Sequence, residues 1–133
     1  MDGGVWGGVA DLGIVPLDAV SVANLASLAG PAGELFATYR LPHIDHPYAT
    51  NPQAVVDAWD GARRDFDNRQ AACGLKPPHA KAAQAHVGHT YAARIFRWEQ
   101  VDLLAAVHVA ALDDLGAIVA WRVLEVRRLP ELR

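Results

Sequence analysis

The chain has 133 residues, of which 52% are hydrophobic and 20% charged, and its formal net charge at pH 7 is −3. This composition excludes an intrinsically disordered tail, and the length favours one domain. No run of 18 residues is free of Asp, Glu, Lys and Arg, which excludes a transmembrane helix, so we expect no membrane partner.

The cysteine content and the first residues indicate a compartment. Cys73 is the single cysteine, which excludes an internal disulfide and favours a reducing environment. Asp2 comes early and the first basic residue is Arg40, a pattern unlike a secretory signal peptide. We therefore expect a cytoplasmic protein.

Residues 1–17 predict a Gly-rich arm or a short strand, because the glycines around Val5 and Trp6 disfavour a stable helix. From residue 18 to residue 133 we expect a single helical domain. Asp18 is a candidate N-cap for a first helix, which Gly30 followed by proline would end.

The clearest helical pattern follows a proline-rich loop at 42–52. The sequence TNPQ at 50–53 is typical of a helix start, with proline tolerated in the first turn. Apolar residues then recur at spacings of four, three, four and seven, which predicts one buried stripe: Val55, Trp59, Ala62, Phe66 and Cys73.

Residues 79–129 lack proline and predict further helices, one from about residue 79 and a long one over about 90–115. The interval 101–112 is apolar on nearly every side, as in a helix at the centre of a domain or in a subunit interface. Residues 117–129 fit either a short C-terminal strand or a continued helix. The expected fold is mainly α, a compact bundle of about four helices with a Gly-rich N-terminal arm.

The apolar interval also carries the main functional expectation, which is self-association. Five residues at helical spacings of three and four predict a seam for another helix: Leu104, Val107, Ala111, Leu115 and Ile118. Val5 and Trp6 predict a segment that docks on a neighbour. A central helix buried within one domain explains the same pattern, so both interpretations stay open. We expect a non-enzymatic interaction or assembly module that binds itself or another protein without a cofactor.

No catalytic residue is predicted. Ser21 and Ser27 both lie in the predicted first helix, and neither has the Gly-x-Ser-x-Gly setting of a hydrolase nucleophile. No glycine-rich phosphate-binding loop follows a predicted strand. Cys73 continues an apolar stripe at a helix C-terminus, where a thiolate is disfavoured. His108 is interpreted as a core histidine.

A DNA-binding alternative comes from residues 68–98, which hold five basic side chains and no acid. Within them, RIFRWE at 94–99 resembles the end of the recognition helix in repressor-type helix-turn-helix proteins, and Ala85 and Gly88 extend the resemblance upstream. The resemblance implies that residues 81–99 contact DNA, with four candidate contact residues: Lys81, Thr90, Arg94 and Arg97.

A metal-binding alternative comes from the six histidines. His43 and His46 form one His-x-x-His pair in the proline-bounded loop, and His86 and His89 form a second pair. Four imidazoles can bind zinc, copper, nickel or iron. The third interpretation is therefore a His-ligated metalloprotein.

Overall fold

The computed structural model describes residues 5–41, 51–75, 83–97 and 101–127. Its elements in chain order are β1 (Val5–Ile14), two short 3-10 turns (Leu17–Ala19 and Val22–Asn24), α1 (Leu25–Thr38), α2 (Pro52–Ala72), β2 (His89–Arg97), β3 (Val101–Asp113) and β4 (Gly116–Val126). The four strands form one antiparallel sheet in the order β1-β2-β3-β4. Both helices pack on the same face of this sheet.

The expectation of a four-helix bundle is wrong, because the described residues form two α-helices and a four-stranded sheet. The long helix predicted over 90–115 is in fact most of β2 and all of β3. As a strand, β3 directs alternate side chains to the two faces of the sheet, and both sets are apolar. A strand of this kind gives a nearly continuous apolar run, which resembles a helix that is apolar all round.

Two further segments resolve open points of the sequence. Residues 5–14, expected in an arm or a short strand, form the edge strand β1, which pairs with β2. The segment 117–129, which fitted a strand or a helix, is a strand over its described part, since Gly116–Val126 form β4 on β3.

The helix predicted after the proline-rich loop is confirmed as α2. The Asn51 side chain accepts a hydrogen bond from the Ala54 backbone N–H, and Pro52 occupies the first turn, so the start is capped as its sequence predicts. The apolar stripe through Trp59 and Phe66 is buried against the rest of the fold. In α1, the backbone at Gly30 leaves the helical conformation, with φ +60° and ψ −137°, so two helical pieces meet at a kink where the sequence predicts a stop.

Alternation along the strands gives the sheet two different faces. The helix face is formed by Trp6, Ala10, Leu12, Thr90, Ala92, Arg94, Phe96, Asp102, Leu104, Ala106, His108, Ala120, Arg122 and Glu125. The open face is formed by Gly7, Val9, Asp11, His89, Tyr91, Ala93, Ile95, Arg97, Val101, Leu103, Ala105, Val107, Val109, Val119, Trp121, Val123 and Val126.

Aromatic rings fill the space between the helices and the helix face. Phe66 of α2 is fully buried, and its ring centroid lies 4.9 Å from that of Tyr39, 5.2 Å from Phe96 and 5.9 Å from Trp6. Trp6 stacks on Phe96 at 4.1 Å. Beside this cluster β1 approaches β2 closely: at Gly7, with φ +144°, a Cβ would lie 1.8 Å from a backbone carbonyl oxygen of β2.

Candidate interaction surface

The β4 part of the open face is apolar and exposed, whereas Tyr91, Ala105 and Val109 of the same face are buried. On β4, Val126 is 72% exposed and Trp121 66%, while Val119 and Val123 are 46% and 41% exposed. Their cross-strand partners on β3 are also apolar, for example Val107 opposite Trp121. The apolar surface therefore continues from the edge strand β4 toward the centre of the sheet.

The size of this surface exceeds what scattered apolar residues produce. The open face as a whole spans about 500 Å² of sheet plane, taking four strands about 4.8 Å apart and about eight residues at about 3.3 Å each. Contiguous apolar patches of a few hundred Å² or more on a single chain typically mark interaction sites. The open face thus has the extent of a binding surface.

One end of the open face is covered by a loop at residues 83–88. The Tyr91 hydroxyl donates a hydrogen bond to the Gln84 carbonyl oxygen at 2.8 Å and accepts one from the His86 backbone N–H at 2.9 Å. The Gly88 N–H donates to the Val109 carbonyl oxygen at 2.9 Å. Below the loop lies an apolar hollow of about 260 Å³, lined by Val9, Ala83, Ala85, Tyr91, Ala93, Val107 and Val109.

Charges of opposite sign lie at the two ends of the open face. At the end with the loop, the Asp11 carboxylate accepts from His89 Nδ1 at 2.9 Å, and its side chain remains 39% exposed. At the other end of β2, Arg97 is exposed and has no ion-pair partner within the described ranges. Between the two ends the open face carries apolar side chains.

The relief of the open face is uneven. Around Gly7, which has no side chain, a hollow of about 280 Å³ opens beside Val9, Ala93 and Ile95. On the opposite edge, Trp121 protrudes from β4. The face therefore offers both a projection and depressions, as shape-complementary interfaces require.

The helix face carries a buried ion pair instead. Arg94 Nη2 and Nε donate to Asp102 Oδ1 at 2.7 and 3.1 Å, and Nη1 donates to the Phe36 carbonyl oxygen at 2.8 Å. Its guanidinium lies 4.5 Å from the centre of the Phe96 ring. Burial lowers the pKa of Arg94 to about 10, although Asp102 acts in the opposite direction.

A second arginine completes the contact between the sheet and α1. Arg127 donates from Nη1 to the Tyr39 carbonyl oxygen at 2.8 Å and from Nη2 to the Ala37 carbonyl oxygen. Together with the bond from Arg94, these satisfy carbonyl groups at the C-terminus of α1, where the helix dipole favours cations. We assign this cluster a structural role, which attaches α1 to the sheet.

The predicted helical seam does not form, because its members lie in strands and in a turn. Leu104 is buried on the helix face, together with Trp6 of the predicted arm. Val107 lies on the open face, and Leu115 is 98% exposed in the turn between β3 and β4. The remaining members lie near that turn or begin β1: Ala111, Ile118 and Val5.

The helix required by the DNA-binding interpretation is also absent, since residues 89–97 form β2. Arg94 is buried and paired, and the Thr90 hydroxyl donates to the Val15 carbonyl oxygen, so neither side chain is free to contact DNA. Arg97 is exposed, whereas Lys81 lies outside the described residues.

The metal-binding interpretation falls partly outside the described residues, which do not include His43 and His46. His86 and His89 do approach each other, with ring centroids 4.9 Å apart. Within residues 5–41, 51–75, 83–97 and 101–127, no group of three or more histidine, cysteine or acidic side chains is placed to hold a metal ion.

Sequence reasoning missed the exposed residues of β4. The signal was present, because Val119, Trp121 and Val123 alternate with residues of the other face at the period of a strand. The same interval also fitted a continued helix, and the interface was assigned to helical spacings instead.

Comparison with known proteins identifies no relative: no family model matches the chain, and no curated protein or solved structure matches it significantly. Among the described helices, none is long and apolar enough to cross a membrane.

Proposed function

We propose that the chain is an assembly module that binds a second copy of itself through the open face of its sheet. The observation that carries the proposal is that both faces of the sheet are apolar while the helices cover only one. An antiparallel sheet with a solvated face usually places polar residues there. Apolar residues on the second face indicate that it is buried in the assembled protein.

The area supports a second copy as the partner. About 500 Å² of sheet plane per copy gives about 1,000 Å² for two copies, which reaches the lower bound of specific interfaces. The loop at 83–88 adds to this area, since Val87 is 57% exposed. Two apolar sheet faces pack readily on one another, about 10 Å apart, as in β-sandwiches.

The charges support the same partner. The open face carries Arg97 at one end and Asp11 at the other, so a second copy supplies an opposite charge for each. A partner with a surface of one sign would match only one of these two ends.

The experiment is a measurement of solution mass by light scattering across a concentration series. The wild-type chain should approach twice 14.3 kDa. Val123→Lys places a charge within the apolar face and should weaken association about 100-fold, which corresponds to about 2.8 kcal/mol. Leu115→Lys is the matched control, because it changes a more exposed apolar residue outside the open face and should leave association unchanged.

A wild-type chain that stays at 14.3 kDa throughout the series would overturn the proposal. It would also fail if Val123→Lys associates as the wild type does, because the interface would then lie elsewhere. Circular dichroism of both variants checks that the fold is retained.

A further inference from the structure

We infer that the second copy packs with its strands reversed, so that β4 lies on β4 and Arg97 of each copy faces the Asp11–His89 end of the other. This inference rests on the proposed self-association and adds the orientation of the partner. It follows from the position of the loop at 83–88 and from the two charged ends of the open face.

A face-to-face pair of identical sheets has few possible arrangements. The two-fold axis lies in the plane of the interface, and the strand directions of aligned sheets stay within about 30° of each other. When the two-fold axis runs across the strands, the strands of the second copy point in the opposite direction, and each strand lies on the same strand of the second copy. An axis along the strands keeps them parallel and places β1 on β4.

The loop at 83–88 distinguishes these two arrangements. It lies on the open face at the Tyr91 end, held by hydrogen bonds to the Tyr91 hydroxyl and to Val109. Packed sheets are about 10 Å apart, which leaves space for one layer of loop between them. An axis along the strands brings both loops into the same gap. An axis across the strands places them at opposite ends, each over the uncovered end of the other copy.

The charges favour the same arrangement. In the register of the sheet, Arg97 lies four residues beyond Ala93 on β2, and His89 lies four residues before it. Reversal about the row of Ala93 therefore exchanges the two ends, and each Arg97 lies over His89 of the second copy, beside the partly exposed Asp11 carboxylate that His89 contacts. With parallel strands, Arg97 would instead meet the β3 end at Val101, where the described residues of the open face include no acidic side chain.

Reversal also matches the apolar residues. The row that contains Trp121 exchanges with the row that contains Val126, so these two most exposed side chains of the open face cover each other in both directions. Val123 lies in the central row and therefore faces Val123 of the second copy. Each contact then occurs twice, as a two-fold interface requires.

Distance measurement by double electron–electron resonance tests the orientation. A nitroxide label on Leu115→Cys, in a Cys73→Ser background, lies in the exposed turn and outside the interface. Its distance to the label of the second copy is about 50 Å with reversed strands, but about 15 Å with parallel strands, from about 3.3 Å per residue and about 4.8 Å per strand.

Charge reversal gives an independent measurement. Arg97→Glu should weaken association about tenfold, since two like-charge contacts replace two opposite ones. Adding Asp11→Lys should restore it only when the strands are reversed. Restored affinity together with the long distance supports the inference.

The two proposals fail separately. A dimer whose label distance is about 15 Å, or whose double charge variant stays weak, overturns the reversed orientation and leaves self-association intact. A labelled chain that remains monomeric, like the unlabelled wild type, overturns both.

Discussion

The same four strands present two faces that are built differently. The helix face combines aromatic rings with the buried Arg94–Asp102 pair, and each polar group of that pair is held by a specific partner. The open face is made mainly of valine and alanine between two charged ends; its β4 edge is exposed, and the loop at 83–88 covers its Tyr91 end. The comparison teaches that the apolar pattern of a strand does not by itself show which face one chain buries, whereas the specific polar contacts of Arg94 and Asp102 identify the face that the helices cover.

The largest difference between the faces should appear in a pair of truncations. Phe66→Ala removes a fully buried ring that contacts four other aromatic residues and should lower the free energy of unfolding by about 3–5 kcal/mol. Val126→Ala, at an exposed position of the open face, should change it by less than about 0.5 kcal/mol. Urea denaturation measures both in the Val123→Lys background, which the proposed interface predicts to be monomeric. Similar losses for the two variants would show that the faces are equally buried in one chain.

A second pair of variants compares the carboxylates of the two faces. Asp102→Asn leaves the Arg94 guanidinium buried without a counter-charge and should cost about 3 kcal/mol of stability. Asp11→Asn removes a carboxylate that is partly exposed and should cost less than about 1 kcal/mol. Thermal unfolding in the same monomeric background provides the measurement. Equal effects would contradict the structural role assigned to the buried pair.

The smallest effect concerns ionisation on the helix side. Burial, together with the nearby Asp65, raises the pKa of the Tyr39 phenol above 10.0 and exceeds the opposite effect of Arg69 and Arg94. The unfolded chain then releases this proton first, so the folded state loses stability as pH rises above 10. Tyr39→Phe removes this part of the pH dependence and also loses the hydroxyl bond to the Ala62 carbonyl oxygen, about 1 kcal/mol at neutral pH. Urea unfolding from pH 8 to 11 should show that the difference in free energy of unfolding between the wild type and Tyr39→Phe becomes smaller as pH rises. A difference that stays constant would exclude the raised pKa of Tyr39.

Sequence reasoning succeeded where one periodicity had one explanation. The stripe of α2 could be interpreted only as a helix, because its spacings of three and four were accompanied by a capping sequence and a glycine stop. It failed in β3, because a strand that is apolar on both faces has apolar residues at the helical spacings of three and four as well as at the strand spacing of two. Leu104 and Val107, three residues apart, share a helix face but lie on opposite faces of a strand. The predicted seam therefore combines residues that lie on both faces of the sheet.

The local composition of β2 also gave no indication that this segment is a strand. Ala92 and Ala93 favour a helix, and the only β-branched residues of this strand are Thr90 and Ile95. Its strand conformation is determined by pairing with β1 and β3, which a local pattern does not show. The role of Arg94 could not be predicted for the same reason. Its basic charge indicated phosphate binding, whereas its partners lie on other elements: an acid on the next strand and a carbonyl oxygen of α1.

The pairing of β1 with β2 has a consequence for synthesis on the ribosome. Val5 pairs with Arg97, so the first strand leaves the ribosome about 90 residues before its partner exists. At about 5–20 residues per second, β1 waits roughly 5–20 s without a neighbour, while β2, β3 and β4 form consecutive hairpins soon after they emerge. A waiting strand is a template for wrong pairing, and glycine weakens that tendency. The glycines of β1 therefore suit a strand that must stay unpaired until the rest of the sheet has been made.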